Sequence, residues 1–121
     1  MPAYINVDSQ NPERITPFWC QLLGVQVQST WEEGNYAQLE PAKALGGLML
    51  VFQRVPEPKV GKNRVHWDVH VEDLDSGTAR VEALGGRWTE PRTTRDADGF
   101  RWRVMADPED NEFCICMYPS A

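Results

Sequence analysis

Val65-His66-Trp67-Asp68-Val69-His70-Val71, followed directly by Asp73-Leu74, is where the chain starts over. The seven residues alternate apolar and polar. That spells a strand with His66, Asp68 and His70 on one face and Val65, Trp67, Val69 and Val71 on the other, ready to pack under a helix. Asp73-Leu74 opens that helix, which carries Leu74, Ala79, Val81 and Leu84 and ends at Gly85-Gly86. Arg87-Trp88-Thr89 reads as a short strand, Asp96 to Gly99 as a turn and Phe100 to Met105 as a strand. A second turn at Asp107-Pro108-Glu109-Asp110-Asn111 leads into the strand Phe113-Cys114-Ile115-Cys116-Met117.

The same order stands earlier in the chain. Tyr4-Ile5-Asn6-Val7-Asp8 alternates, with Tyr4, Asn6 and Asp8 sharing one face. Asn11-Pro12-Glu13 supplies a capping side chain, a proline at the first helical position and an early acid. Ile15, Phe18, Trp19, Leu22 and Leu23 recur at helical spacing up to Gly24. A hairpin over Val25–Gln28 and Tyr36–Leu39 follows. Leu48 to Phe52 then forms a strand that is apolar on both faces and therefore central. The two halves are in register: 73 − 11 and 86 − 24 both give 62 residues. An internal duplication of strand, helix and three strands is the expected architecture, with one helix covering one face of each small sheet. This is an α+β fold of two tandem βαβββ modules. The expected arrangement is a curved, mostly antiparallel, eight-stranded sheet around a cleft with the helices outside. The 121 residues are expected to form a single domain: module one at 1–55, a proline-rich connector at 56–62 and module two at 63–121.

Composition narrows the partners. Twelve basic against eighteen acidic residues leave a net charge of −6 and no basic cluster, so a phosphate-backbone partner is not expected. No apolar run reaches membrane-spanning length and the first residues do not read as a leader, so a cytoplasmic protein without a membrane partner is expected. The three cysteines read as reduced thiols. Five tryptophans are a surplus. Trp19 and Trp67 fall on core faces, whereas Trp31, Trp88 and Trp102 lie near strand ends or on edge strands, where rings stack on planar ligands or simply pack. Arg101 and Arg103 share the strand face of Met105 and read either as solvated charges or as partners for a substrate carboxylate.

Taken together, the paired modules, the stretch Phe18-Trp19-Cys20-Gln21-Leu22-Leu23-Gly24, the Val55-Pro56-Glu57-Pro58-Lys59 connector and Asp107-Pro108-Glu109-Asp110-Asn111 resemble the glyoxalase/bleomycin-resistance/dioxygenase superfamily. They are most similar to its small glyoxalase-like branch. The resemblance implies a divalent metal held by one residue from the first strand and one from the last strand of each half. Those positions fall on His66, on Tyr4, on Cys114 where Glu is usual, and on residues 47–55, which contain no Asp, Glu or His. Only His66 keeps a metal-ligating side chain of the expected kind. The expected function is therefore binding of a small organic molecule, aromatic or carbonyl-containing, in the cleft, without a complete metal set and with no cofactor. The alternative is a divalent-metal-dependent lyase or dioxygenase using His66. The ligand-binding candidates are Tyr4, Asn6, His66, Asp68, Cys114 and Trp102; the acid–base candidates are His66, Asp68 and His70. On one strand His66 and His70 lie roughly 13 Å apart, too far to share one ion. Cys114 and Cys116 share a face and read as small residues lining an interior or, for Cys114, as a thiol near His66. The resemblance also allows a homodimer.

Overall fold

The computed structural model describes residues 3–119. Its backbone contacts divide the chain into two compact units that meet in sequence at Val60 and Gly61. In the first unit, β1 (Tyr4–Ser9) leads into α1 (Pro12–Leu23). The strands β2 (Val27–Trp31), β3 (Tyr36–Leu39) and β4 (Met49–Arg54) follow. The sheet order is β1-β4-β3-β2, with β1 and β4 parallel and the other pairs antiparallel. β4 is central, as its two-sided apolar sequence requires. Ile15, Trp19, Leu39, Leu50 and Phe52 are fully buried between α1 and this sheet.

The second unit repeats the plan with β5 (Asp68–His70), α2 (Leu74–Ala83), β6 (Arg87–Trp88), β7 (Arg95–Ala97), β8 (Phe100–Ala106) and β9 (Glu112–Met117). The order is β5-β9-β8-β6, with β7 pairing the remainder of β8 and β5 parallel to β9. The fold is the expected α+β pair of βαβββ modules, in sheets of four and five strands, mostly antiparallel. The ninth strand is β7, which pairs Arg95 with Trp102 and Ala97 with Phe100 just before the turn at Asp98-Gly99. Among the described residues, no helix is long and apolar enough to cross a membrane.

Local chemistry explains most boundaries. α1 begins at Pro12, but Asn11 does not cap it with its side chain. Instead, the buried Ser9 hydroxyl accepts the Asn11 N–H at 2.9 Å and the Asn11 carbonyl receives the first helical bonds. Pro17 sits in the second turn rather than the first, so the Glu13 carbonyl has no i+4 donor, yet the helix runs on to Leu23. Gly24 ends it at φ 68°, the left-handed conformation that glycine adopts without strain. α2 is capped by Asp73, whose carboxylate accepts the Ser76 N–H at 2.7 Å. That hydrogen bond holds the Asp73 carboxyl below its usual range. The Asp-Pro turn before β9 is built on Asp107: its buried carboxylate accepts the N–H groups of Glu109 and Asn111 and the side-chain amide of Asn111.

The seven-residue strand expected at Val65–Val71 is shorter. β5 spans only Asp68–His70; Val65 is 68% exposed and Trp67 is half-buried. Asn63 anchors the segment that precedes β5. Its backbone N–H binds the Glu112 carboxylate at 2.8 Å, which ties the incoming chain to the start of β9, and the Trp67 carbonyl, accepting the Cys114 N–H at 3.0 Å, still bonds to that strand.

Gly77 marks the closest approach of α2 to its sheet. A Cβ there would lie 3.2 Å from Ile115 Cδ1 and 3.3 Å from Val71 Cγ1. Gly77→Ala trades a helix-propensity gain of about 1 kcal/mol against that tight contact and is expected to be nearly neutral. Gly77→Val is expected to cost about 1–3 kcal/mol by overpacking, read as a lower urea midpoint.

Candidate functional site

The register of the second sheet decides which side chains meet. Asp68 and Val104 both stand opposite Cys114, and His70 and Trp102 both stand opposite Cys116. Residues opposite one another share a face. Asp68, His70, Cys114, Cys116, Val104 and Trp102 therefore lie together, on the side away from α2. The other side carries Val69, Phe113, Ile115, Met105 and Arg103 beneath the helix; all but Arg103 are apolar, and all five are buried.

His66 lies just before β5, off the strand, and its Nε2 comes within 3.9 Å of Asp68 Oδ1. One ligand-capable atom each from His66, Asp68 and Cys114 lie within 4.8 Å of one another. His66 and Asp68 are about half exposed, whereas Cys114 is buried. Burial, and then the neighbouring Asp68 carboxylate both as a charge and as a hydrogen-bond acceptor, push the Cys114 thiol up to about 12. It is a protonated donor to Asp68 at neutral pH, which argues against a role as an activated nucleophile. Cys116, equally buried, is also raised by burial and by Asp68. All three cysteines are free.

This predicts the alkylation order. At pH 8 in the folded protein the half-buried Cys20 reacts with iodoacetamide ahead of Cys114 and Cys116, and denaturation makes the three equivalent, as peptide mass spectrometry would read. Linkage adds a pH signature. Because the folded thiol of Cys114 is raised above its ordinary value near 9, its contribution is complete below pH 9 and is lost as pH rises toward 12. Cys114→Ser is expected to flatten the alkaline fall in stability.

A cavity of about 130 Å³ opens beside this cluster, lined by His66, Trp102, Val104, Phe113 and Cys114 with Lys62, Asn63 and Glu112. Three candidate residues, His66, Trp102 and Cys114, thus meet at one cavity, and Asp68 stands next to two of them without lining it. His70 does not take part in that cluster; its ring packs at 5.1 Å from Tyr118. Tyr4 and Asn6 lie exposed on β1 in the first unit, on one face as the alternation implied. Trp31 stacks flat on Tyr36 at 5.3 Å between centroids.

Two residues fall elsewhere than their chemistry suggested. Arg103 is neither a solvated charge nor free for a substrate. It is buried under α2, where its guanidinium bonds the Thr78 hydroxyl at 2.8 Å, the Leu74 carbonyl at 3.2 Å, the Thr94 hydroxyl at 2.9 Å and Asp75 at 2.8 Å. Trp88 is taken by the same group, its ring 4.3 Å from the Arg103 guanidinium carbon, so it is not a pocket wall. Lys62, Asn63 and Glu112 were not expected at the site. The signal that could have found them is the sequence neighbourhood of the connector and of the Asp-Pro turn, both of which flank the face that bears Cys114.

The paired βαβββ units have the fold of the glyoxalase/bleomycin resistance/dioxygenase proteins. A family model described as a glyoxalase-like domain matches residues 4–116, and the chain belongs to that family. A glyoxalase/bleomycin resistance protein/dioxygenase family enzyme from Burkholderia phytofirmans PsJN shares the fold with a TM-score of 0.74 and 17% identity, over 94% of this chain and 95% of that one. The genomically encoded fosfomycin resistance protein FosX from Listeria monocytogenes aligns with a TM-score of 0.72 and 15% identity, over 97% and 92% of the two chains. The oxidase ChaP-H2 aligns with a TM-score of 0.71 and 18% identity, over 100% and 95%. No curated protein sequence matches.

Proposed function

We propose that this protein binds a small organic molecule, aromatic or carbonyl-containing, on the second sheet's face away from α2, without a complete set of metal ligands. The observation that carries this reading is the cavity beside Cys114. Trp102 supplies a flat apolar wall beside Val104, His66 supplies one hydrogen-bonding edge, and a neutral thiol stands where the superfamily usually places a carboxylate. Mostly apolar walls with few polar groups are the usual make-up of a small-molecule site. Tyr4 and Asn6 belong to this proposal as ligand-binding candidates of the first unit, and the whole chain is proposed to act as one glyoxalase-like domain in the cytoplasm.

The test is a thermal-shift screen of planar aromatic acids, amides and ketones, repeated on Trp102→Ala. A stabilising compound whose affinity falls at least tenfold in Trp102→Ala, the scale of a lost stacking contact of about 1.5 kcal/mol, supports the reading. No stabilisation by any class would end it.

One observation favours a second reading, a divalent-metal enzyme of the lyase or dioxygenase type. His66, Asp68 and Cys114 offer nitrogen, oxygen and sulfur donors close enough for one ion, a set that suits zinc. Asp68 supplies the oxygen that the last strand lacks. A bound ion there would act as a Lewis acid on a carbonyl or enediolate oxygen. The chain's own part is to hold His66 beside Asp68 and to release the Cys114 proton on binding. Elemental analysis of protein purified without chelator decides this: about one metal per chain, lost in His66→Ala and in Cys114→Ser, supports it, and substoichiometric metal in the wild type rejects it.

A further inference from the structure

A second, larger cavity of about 580 Å³ adjoins the one just described, and the two share Lys62, Trp102, Val104 and Glu112. Its lining is unusual for a chain of net charge −6. Three cations, Lys62, Arg87 and Arg95, face two carboxylates, Glu90 and Glu112. Both acids are engaged: Glu90 by the fork of Arg95 and Glu112 by the backbone N–H of Asn63. Arg87 reaches Asp110 at 2.9 Å in a pair whose side chains are both at least 60% exposed, the kind that contributes little and exchanges readily. Lys62 makes no close ion pair among the described residues, although its charge is felt by the Glu90 carboxylate.

The register places an aromatic end beyond this cationic one. Along β8, Trp102 is followed by Phe100, whose ring lies 5.5 Å from Trp102 and 5.4 Å from Tyr118; Tyr118 in turn packs against His70. The sheet face is thus graded. Cations gather around Lys62 and Arg87, Trp102 stands in the middle, and rings continue past it. A neutral ligand would gain nothing from the first end, and a compact inorganic anion nothing from the second.

We infer that the molecule bound on this face is an aromatic anion: a planar ring system stacked at Trp102, with a carboxylate or comparable anionic group turned toward Lys62 and Arg87. This inference rests on the small-molecule reading above and names its ligand class. Lys62 and Arg87 are then specificity-determining residues. Their role is to distinguish charged from neutral ligands of the same shape, since an anion meeting an ammonium that is held in no close ion pair gains a charge-assisted hydrogen bond that the neutral analogue lacks.

The test uses two matched probes, naphthalene-2-carboxylate and naphthalene-2-carboxamide, titrated against the full chain by tryptophan fluorescence at low salt. The carboxylate is expected to bind about fivefold to tenfold more tightly. Lys62→Gln together with Arg87→Gln should erase that preference while leaving the carboxamide affinity within twofold. Lys43→Gln together with Arg14→Gln, which makes the same charge change in the first unit, should preserve the preference. Raising the salt should narrow it. Equal binding of the two probes to the wild type, or a preference that survives the double variant, overturns the inference and leaves the small-molecule reading standing. Binding of neither probe, combined with failure of the wider screen, removes both. Circular dichroism of each variant separates lost recognition from lost folding.

Discussion

Arg103→Ala is expected to lower the stability of the second unit by about 2–4 kcal/mol. The guanidinium holds together three parts of that unit: α2 through Leu74, Thr78 and Asp75, the segment before β7 through Thr94, and β6 through the Trp88 ring. Truncation leaves a void under the helix and strips partners from buried oxygens. The Asp75 end returns cheaply to water, because its side chain is 86% exposed, which keeps the figure below that for a fully buried ion pair. Two further variants separate the causes. Arg103→Lys keeps the charge but not the planar fork, and should recover less than half of the loss. Arg103→Met keeps much of the volume without the hydrogen bonds. Urea unfolding followed by fluorescence and circular dichroism reads all three. An Arg103→Ala midpoint within experimental error of the wild type would remove this residue from the account of stability.

The larger expected loss is in the first unit. Trp19 is fully buried and meets Phe18 edge-to-face at 5.1 Å, anchoring α1 to β3 and β4. Trp19→Ala removes the largest side chain of that core and should cost about 3–5 kcal/mol. Against a total stability of about 5–15 kcal/mol, this brings the unit near the point of unfolding at ordinary temperature. Trp19→Phe, which keeps an aromatic ring and most of the volume, should cost about 1–2 kcal/mol. A calorimetric scan distinguishes these cases. If Trp19→Ala melts at the wild-type temperature, the α1 contact does not hold the unit together.

Three residues of the cavity, His66, Trp102 and Cys114, were legible in the chain, and the misreadings are instructive. The parity rule placed Arg103 on the face of Met105, and Met105 is fully buried. Parity was right; the residue type argued for solvent, because nothing local reveals that Thr78, Thr94 and the Leu74 carbonyl converge to satisfy a guanidinium. Trp88 went with it for the same reason. His66 was read as a strand residue from an alternation that truly continues to Val65. The regular strand nevertheless begins only at Asp68, and the chain before it is tied down by Glu112, nearly fifty positions away, through the Asn63 N–H. A periodicity cannot encode so distant a tether.

What the sequence determined by itself is the repeat and its punctuation. The 62-residue offset, the glycine stops, Pro12 and the Asp107 turn are local, steric or short-range hydrogen-bonding facts, and each appears in the fold at its expected position. The surplus of tryptophan was equally plain, but its meaning was not. Helical spacing put Trp19 in the core, but tertiary structure alone decided that Trp88 lies against a buried arginine and that Trp102 walls a cavity. It also brought His66, Asp68 and Cys114 within 4.8 Å of one another and set Lys62 beside them. These outcomes depend on register between β5, β8 and β9 and on where the connector is tethered. Both arise from pairings distant in sequence, for which adjacent residues carry no signal.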